Sequence, residues 1–412
     1  MASKAGIALY NRFPALQVRE YRLFFIAQFT SLIGTWMQQT AIGWLIYDIT
    51  KSAFYVGAAT MALSLPLLFF TLIGGILADR LSKRNIMITT QALSILPALL
   101  LAMLITFNAV HVWYIIIIAA MLGTINAIDV PARQSFFVEV VGKVSLLNAV
   151  ALNSMSFHSA RIIGPLVAGI IIEKLGMSGC FYINAISFVP VILVLSVIKP
   201  AGAKVKQKSV VADLQEGFRY ILGNGRMPYL FLTIALFSLL VIPFNSFLQV
   251  FADRVYHAGV RGYSVLMSFL GLGSLLGGTF VALRGDVERK TTLMSVTGIL
   301  YPLSLFMLCF TKSFNLACLI LAVGGFNLIC FLATTNTHMQ LASSDEFRGR
   351  VMSVYAFLFL GMTPFGAAMI GTLADVAGIT TAVAIFPIIT LVCFIFLRNK
   401  WADKRQTSPG GP

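Results

Sequence analysis

Residues 113–122 read WYIIIIAAML. In water such a β-branched and aromatic run suits a strand. Here it belongs to an apolar stretch reaching from about 112 to 138, and that length changes the reading. A bilayer's hydrocarbon core is about 30 Å thick, so a spanning helix needs roughly 20 apolar residues. No water satisfies the backbone there, so a run of this length closes its hydrogen bonds internally, as a helix. Eleven comparable stretches lie near 22–48, 52–78, 86–107, 146–174, 178–198, 228–253, 262–283, 291–311, 314–341, 350–376 and 379–397. The sequence therefore predicts an all-α membrane protein with twelve transmembrane helices in two six-helix bundles.

Composition points the same way. The 412 residues are 58% hydrophobic and 11% charged, whereas a soluble domain is about half apolar and a quarter charged. The net charge of +15 raises nucleic acid as a partner, but its placement argues against that. With a cytoplasmic N-terminus, 24 of the 30 lysines and arginines fall on the cytoplasmic side. Lys51, Lys174, Arg254, Arg261 and Lys312 fall opposite, and Arg161 alone lies deep in a span. This asymmetry is the positive-inside pattern. It places the chain in the bacterial cytoplasmic (inner) membrane with both termini cytoplasmic, and makes lipid the partner of its charge.

Residues 1–20 form a cytoplasmic segment with no apolar core before a cleavage site, so the first span is expected to act as insertion signal. The longest polar interruption, 199–226, divides a bundle at 21–198 from one at 227–398, and 399–412 form a tail. Within it Leu214, Phe218, Ile221 and Leu222 share a helical face, predicting an amphipathic helix on the membrane surface that tethers the halves. Cys180, Cys309, Cys318, Cys330 and Cys393 are scattered through apolar spans without a C-x-x-C pair, as small buried hydrophobes are.

Polar side chains are costly in lipid and usually face a bundle interior or a watery cavity. Here they fall in stripes. Gln28, Ser31, Thr35 and Gln38 share a face of the first span, and Asn126, Asp129 and Arg133 share one on the fourth. Ser238, Asn245 and Gln249 do so on the seventh, and Asn327, Thr334 and His338 on the tenth. A single serine or threonine is read as interhelical packing glue, worth roughly 0.6 kcal/mol. Four stripes recurring every third span predict a central substrate cavity. Ser154, His158 and Arg161 share a face of the fifth span just before Gly164 and Pro165. A cation there costs about 3 kcal/mol unless paired or hydrated. Its candidate partners are Asp129, a substrate carboxylate or phenolate, or carbonyls freed by Pro165.

Asp129 is the one carboxylate on a stripe, which makes it a candidate proton carrier; membership of a cytoplasmic gate with Arg133 is the equal alternative. His158 is the second candidate, since imidazole titrates near physiological pH. No G-x-x-x-x-G-K-[ST] loop, H-E-x-x-H or G-x-S-x-G occurs. That argues against direct ATP use and against a hydrolase, with no cofactor, metal or catalytic residue expected.

The stretch GGILADRLSKR at 74–84 resembles the signature loop of the major facilitator superfamily, G-x-x-x-D-R-x-G-R/K-R/K, at Gly75, Asp79, Arg80, Lys83 and Arg84. Ser82 stands where that family has glycine. The resemblance implies that Asp79 holds the cytoplasmic gate, near the start of the eleventh span and Arg133. PARQSF, LLNAVALNSMSFHSARIIGP, CFYINAISF and RGRVMS are similar to segments of the enterobactin exporter subgroup and related drug exporters. GPLVAG at 164–169 resembles the fifth-span motif of proton antiporters, with Ala168 replacing a glycine. Together they imply proton-coupled export of a siderophore or amphiphilic drug-like molecule by a monomer. Import or uniport of a small solute, and lipid flipping, are the alternatives.

Overall fold

The computed structural model describes residues 14–198, 210–284, 290–344 and 346–401. The expected N-terminal segment before residue 14, the linker's start at 199–209 and the tail from 402 lie outside the described residues. Helices α1 (Arg19–Thr50), α2 (Ala53–Arg80) and α3 (Lys83–Thr106) come first. The helical run Val112–Val197 is interrupted at Gly142 and Gly176, where φ is 65° and 73° with ψ near 180°. Side chains rarely adopt that backbone, so glycine is what lets the chain end one helix and begin the next without a longer loop. The run thus comprises α4 (112–141), α5 (143–175) and α6 (177–197).

Then follow α7 (Val210–Leu222), α8 (Met227–Leu240), a 3₁₀ segment (Ile242–Phe247) and α9 (Leu248–Arg254). Helices α10 (Gly259–Arg284), α11 (Lys290–Phe310), α12 (Phe314–Ala342), α13 (Arg348–Ala377) and α14 (Ile379–Trp401) complete the chain. Ten stretches among the described residues are long and apolar enough to cross a membrane. One of them, Asn148–Val197, holds both α5 and α6, and α1 is long enough but more polar. With these the helices of the described residues are consistent with the twelve expected spans.

Helix contacts group the described residues into two compact units: those of Met1–Lys51 with Ala62–Gln207, and those of Ser52–Met61 with Lys208–Pro412. The first turns of α2 therefore belong with the second half of the chain, which hydropathy alone does not reveal. In the first unit Tyr21, Phe24, Phe136 and Phe137 build an aromatic core. In the second, Phe237, Phe331 and Phe394 meet with centroids 4.3–5.9 Å apart, and Trp401 adjoins Phe394.

Helix α7 is amphipathic, but its apolar face is not left wholly to lipid. Gly217 seats on the backbone at Arg350, Tyr220 stacks on Phe347 at 4.5 Å, and Ile221 is buried. Glu216 pairs with Arg350 at 3.0 Å, and the Ser344 N–H donates to the Tyr220 hydroxyl at 3.3 Å. Hydrogen bonding from the Ser344 side chain, and then from its N–H, favours the phenolate and draws the Tyr220 phenol below its ordinary pKa. The helix is a docked strut on α13, and among its described side chains Phe218 and Leu222 keep an exposed apolar edge.

Candidate functional site

Asp129 on α4 is buried and fully engaged. Its Oδ1 accepts from Thr90 Oγ1 at 2.7 Å and Gln91 Nε2 at 3.2 Å, and its Oδ2 lies 3.1 Å from Arg133 Nη2. The one-turn spacing to Arg133 survives Pro131. Two partners come from α3, which the stripe reading passed over. The signal was there: Thr89, Thr90 and Gln91 are three consecutive polar residues inside a span.

Along α1 the stripe divides. Gln38 Oε1 accepts from Asn184 Nδ2 at 2.7 Å, tying α1 to α6, and Thr35 donates to its own helix at Ser31 O. The sequence reading credited the sixth span with no such role. Gln28 instead lines a hollow between α1, α4 and α5, walled by Tyr21, Phe24, Phe25, Phe29 and Phe137 and completed by Asn153 and Ser156. The hollow has room for about one water molecule. Gln28 Oε1 and Ser156 Oγ are both buried there without a hydrogen-bond partner. An unmade buried hydrogen bond costs about 1–3 kcal/mol, so the pair is suited to a donor that comes and goes.

On α5, Arg161 lies over the Trp36 ring at 5.5 Å, and Phe157 packs edge-on to the same ring. A guanidinium on an indole face recovers part of its lost hydration. Trp36 is thus a partner that sequence reasoning missed among its three candidates. His158 adjoins Phe157, and its Nδ1 is buried without a hydrogen-bond partner. Ser154, expected on the same face, is exposed. Gly164 lets this helix meet α1 closely, since a Cβ there would run into Trp36 Cβ and lie 3.0 Å from Met37 N. Pro165 continues inside the helix.

The seventh-span stripe needs correction, because the span is not one helix. Pro243 has no N–H to give Leu239 O, so α8 stops at Leu240 and a 3₁₀ segment intervenes. Tyr301 Oη donates to Val241 O at 3.2 Å, and Gly366 seats directly on Leu239 O. Ser238, expected in line with Asn245 and Gln249, instead donates to Phe359 O and lies 3.0 Å from Thr363 Oγ1. Asn245 Oδ1 and Gln249 Oε1, in and after the break, are buried without partners.

On α12, Asn327 and Thr334 donate to their own helix, at Val323 O (2.8 Å) and Cys330 O (2.6 Å), and both are buried. His338 and Asn126 are half-buried.

The signature residues also have definite places. Lys83 forms a buried ion pair with Glu139 at 2.6 Å, each side chain 7% exposed. Arg84 donates to Leu195 O at 2.6 Å and to Ser196 O, capping the end of α6. Ser82 has φ −62° and ψ 117° and serves as N-cap of α3, its Oγ accepting from Asn85 N. That backbone suits any residue, so the family's glycine is not needed. Gly75 has open space around it and Arg80 is exposed. The side chain of Asp79 lies outside the described residues.

Residues 11–407 match the model of a family described as transmembrane secretion effector. The chain is 24% identical over 402 residues to the staphyloferrin A transporter of Staphylococcus aureus, covering 95% of this chain and 99% of that one. It is 28% identical over 369 residues to the multidrug efflux pump Tap of Mycolicibacterium fortuitum, covering 87% and 90%. Among solved structures, the nucleoside transporter NupG superposes with a TM-score of 0.73 at 15% identity, covering 93% and 99%. Membrane-spanning helices, polar groups held inside them and a family match over nearly the whole length lead to one conclusion: the chain belongs to the transmembrane secretion effector family of major facilitator transporters.

Proposed function

We propose that this transporter exports a siderophore or amphiphilic drug-like molecule from the cytoplasm by alternating access, driven by protons. It would work as a monomer in the bacterial cytoplasmic membrane, both termini inside. The observation that carries the reading is the set of buried oxygens left without donors: Gln28 and Ser156 in the first unit, Asn245 and Gln249 in the second. Acceptors held this way are expensive in a purely structural role and useful when a substrate's hydroxyl or amine supplies the missing hydrogen. The relatives' names, a staphyloferrin A transporter and a multidrug efflux pump, support such cargo.

For coupling, His158 is the better candidate of the two. Asp129 is committed to Thr90, Gln91 and Arg133. His158 Nδ1 has no partner to lose and lies one turn from Arg161, so a proton there is free to exchange against a substrate anion. Asp79 keeps its proposed role in the gate, and Asn126, Asn327 and His338 theirs along the cavity.

The test is export measured in everted membrane vesicles on the compounds that a deletion strain retains, as identified by mass spectrometry. An acid interior should drive their accumulation. Gln28→Leu and Gln249→Leu should each lower it about tenfold, the loss of one substrate hydrogen bond. His158→Gln should abolish gradient-driven accumulation and spare substrate exchange. Accumulation that ignores the pH gradient would overturn proton coupling, and uptake only into right-side-out vesicles would establish import.

A further inference from the structure

The start of α2 is capped by a residue more than 320 positions away. Asp375, near the end of α13, accepts from Ala53 N at 2.8 Å through Oδ1 and from Phe54 N at 3.2 Å through Oδ2. Ser52 occupies the position where a serine usually accepts from the helix's free N–H groups. Here its hydroxyl instead donates to Asp375 Oδ2, and the aspartate supplies the acceptor. The charge also faces the positive end of the α2 dipole. Below this cap the two helices touch backbone to backbone. A Cβ on Gly57 would lie 2.5 Å from Ala367 O, and one on Gly371 would lie 2.8 Å from Ala53 O. Ala367, Gly371 and Asp375 follow one another at four-residue steps, as Ala53 and Gly57 do, so one small-residue seam runs up to the cap.

We propose that Asp375 is a positioning residue for transport: a detachable cap that holds the first turns of α2 on α13 in one state and releases them in the other. The proposal rests on the alternating-access reading above. Three features suit release. The carboxylate is exposed, so water replaces its partners when it leaves. Its donors are helix-end N–H groups, which water also satisfies. The close approach runs through Gly57, Ala367 and Gly371, small residues with little side chain to reseat when the helices part.

Val56, the neighbour of Gly57 on α2, is buried, and Cys330 on α12 is buried in the same unit. The experiment measures the rate at which N-ethylmaleimide labels a Val56→Cys reporter in native membranes, compared with Cys330 in the same protein; it needs no substrate and no assigned direction. Asp375→Asn should raise labelling at position 56 about fivefold, the factor that loss of one helix cap corresponds to, and leave Cys330 unchanged. Asp375→Glu should restore part of the protection. Unchanged labelling at position 56, or a parallel rise at Cys330 from general loosening, overturns the proposal. If Asp375→Asn does not reach the membrane, Ser52→Ala decides by the same two readouts. A chain that passes this test yet exports nothing would leave the cap standing and remove the export reading.

Discussion

The first and seventh spans hold the same ordinal place in the two halves, and they are built differently. Helix α1 runs unbroken for 32 residues, and its Gln38 is spent on a hydrogen bond to α6. The seventh span is cut by Pro243 into a helix, a 3₁₀ segment and a short helix. The fourth and tenth spans contrast in the same sense. Asp129 reaches across to α3, whereas Asn327 and Thr334 bond back to the helix that carries them. In these spans of the first half, Gln38 and Asp129 tie helices together, as Ser238 does between α8 and α13 in the second. The second half keeps an irregular segment in place with a tyrosine hydroxyl and a glycine. A break inside a membrane is tolerated only where neighbours satisfy the freed backbone. The contrast marks the seventh span, broken at Pro243, as the irregular member of the pair.

The comparison breaks most readily at Lys83. Removing one member of a buried ion pair leaves the other charge uncompensated, so Lys83→Met should cost about 3–5 kcal/mol of stability. Glu139→Gln should match it, and the double change Lys83→Met with Glu139→Met should recover most of the loss. Thermal unfolding of the purified protein in detergent measures all three. Tyr301→Phe should cost about 1–1.5 kcal/mol, the net worth of its bond to Val241 O, and should speed hydrogen exchange across 241–247 without affecting α1. Thr334→Val should cost less than about 0.6 kcal/mol, since its hydroxyl ties nothing together. If Thr334→Val proves as damaging as Lys83→Met, the contrast between polar groups that tie helices together and those that bond back is wrong.

Most of the fold was legible in the sequence because lipid leaves the backbone few choices. Run length found the membrane-spanning helices, face periodicity found the linker helix, and the signature loop and companion segments found the family. The site was less legible, for specific reasons. A helical stripe assumes a helix, and Pro243 ends one, so Ser238 and Asn245 do not align. A stripe also records which residues are polar, not whom they meet. Gln38 found Asn184, Arg161 found Trp36, and Asp129 found Thr90 and Gln91, because these depend on helix neighbours that spacing along one helix does not encode. Ser82, which departs from the family's glycine, is in place an N-cap that fits its helix.

The kink at Pro243 also binds a distant position to it over evolutionary time. Leu239 O, deprived of its donor, lies against Gly366, and any side chain at 366 would strike it. A lineage that replaced Pro243 could draw that carbonyl back into its own helix, and position 366 would then be free to gain a methyl group. A lineage that first enlarged residue 366 would be selected against until the kink had gone. Positions 243 and 366 should therefore drift as a pair, in that order, although 123 residues separate them in the chain.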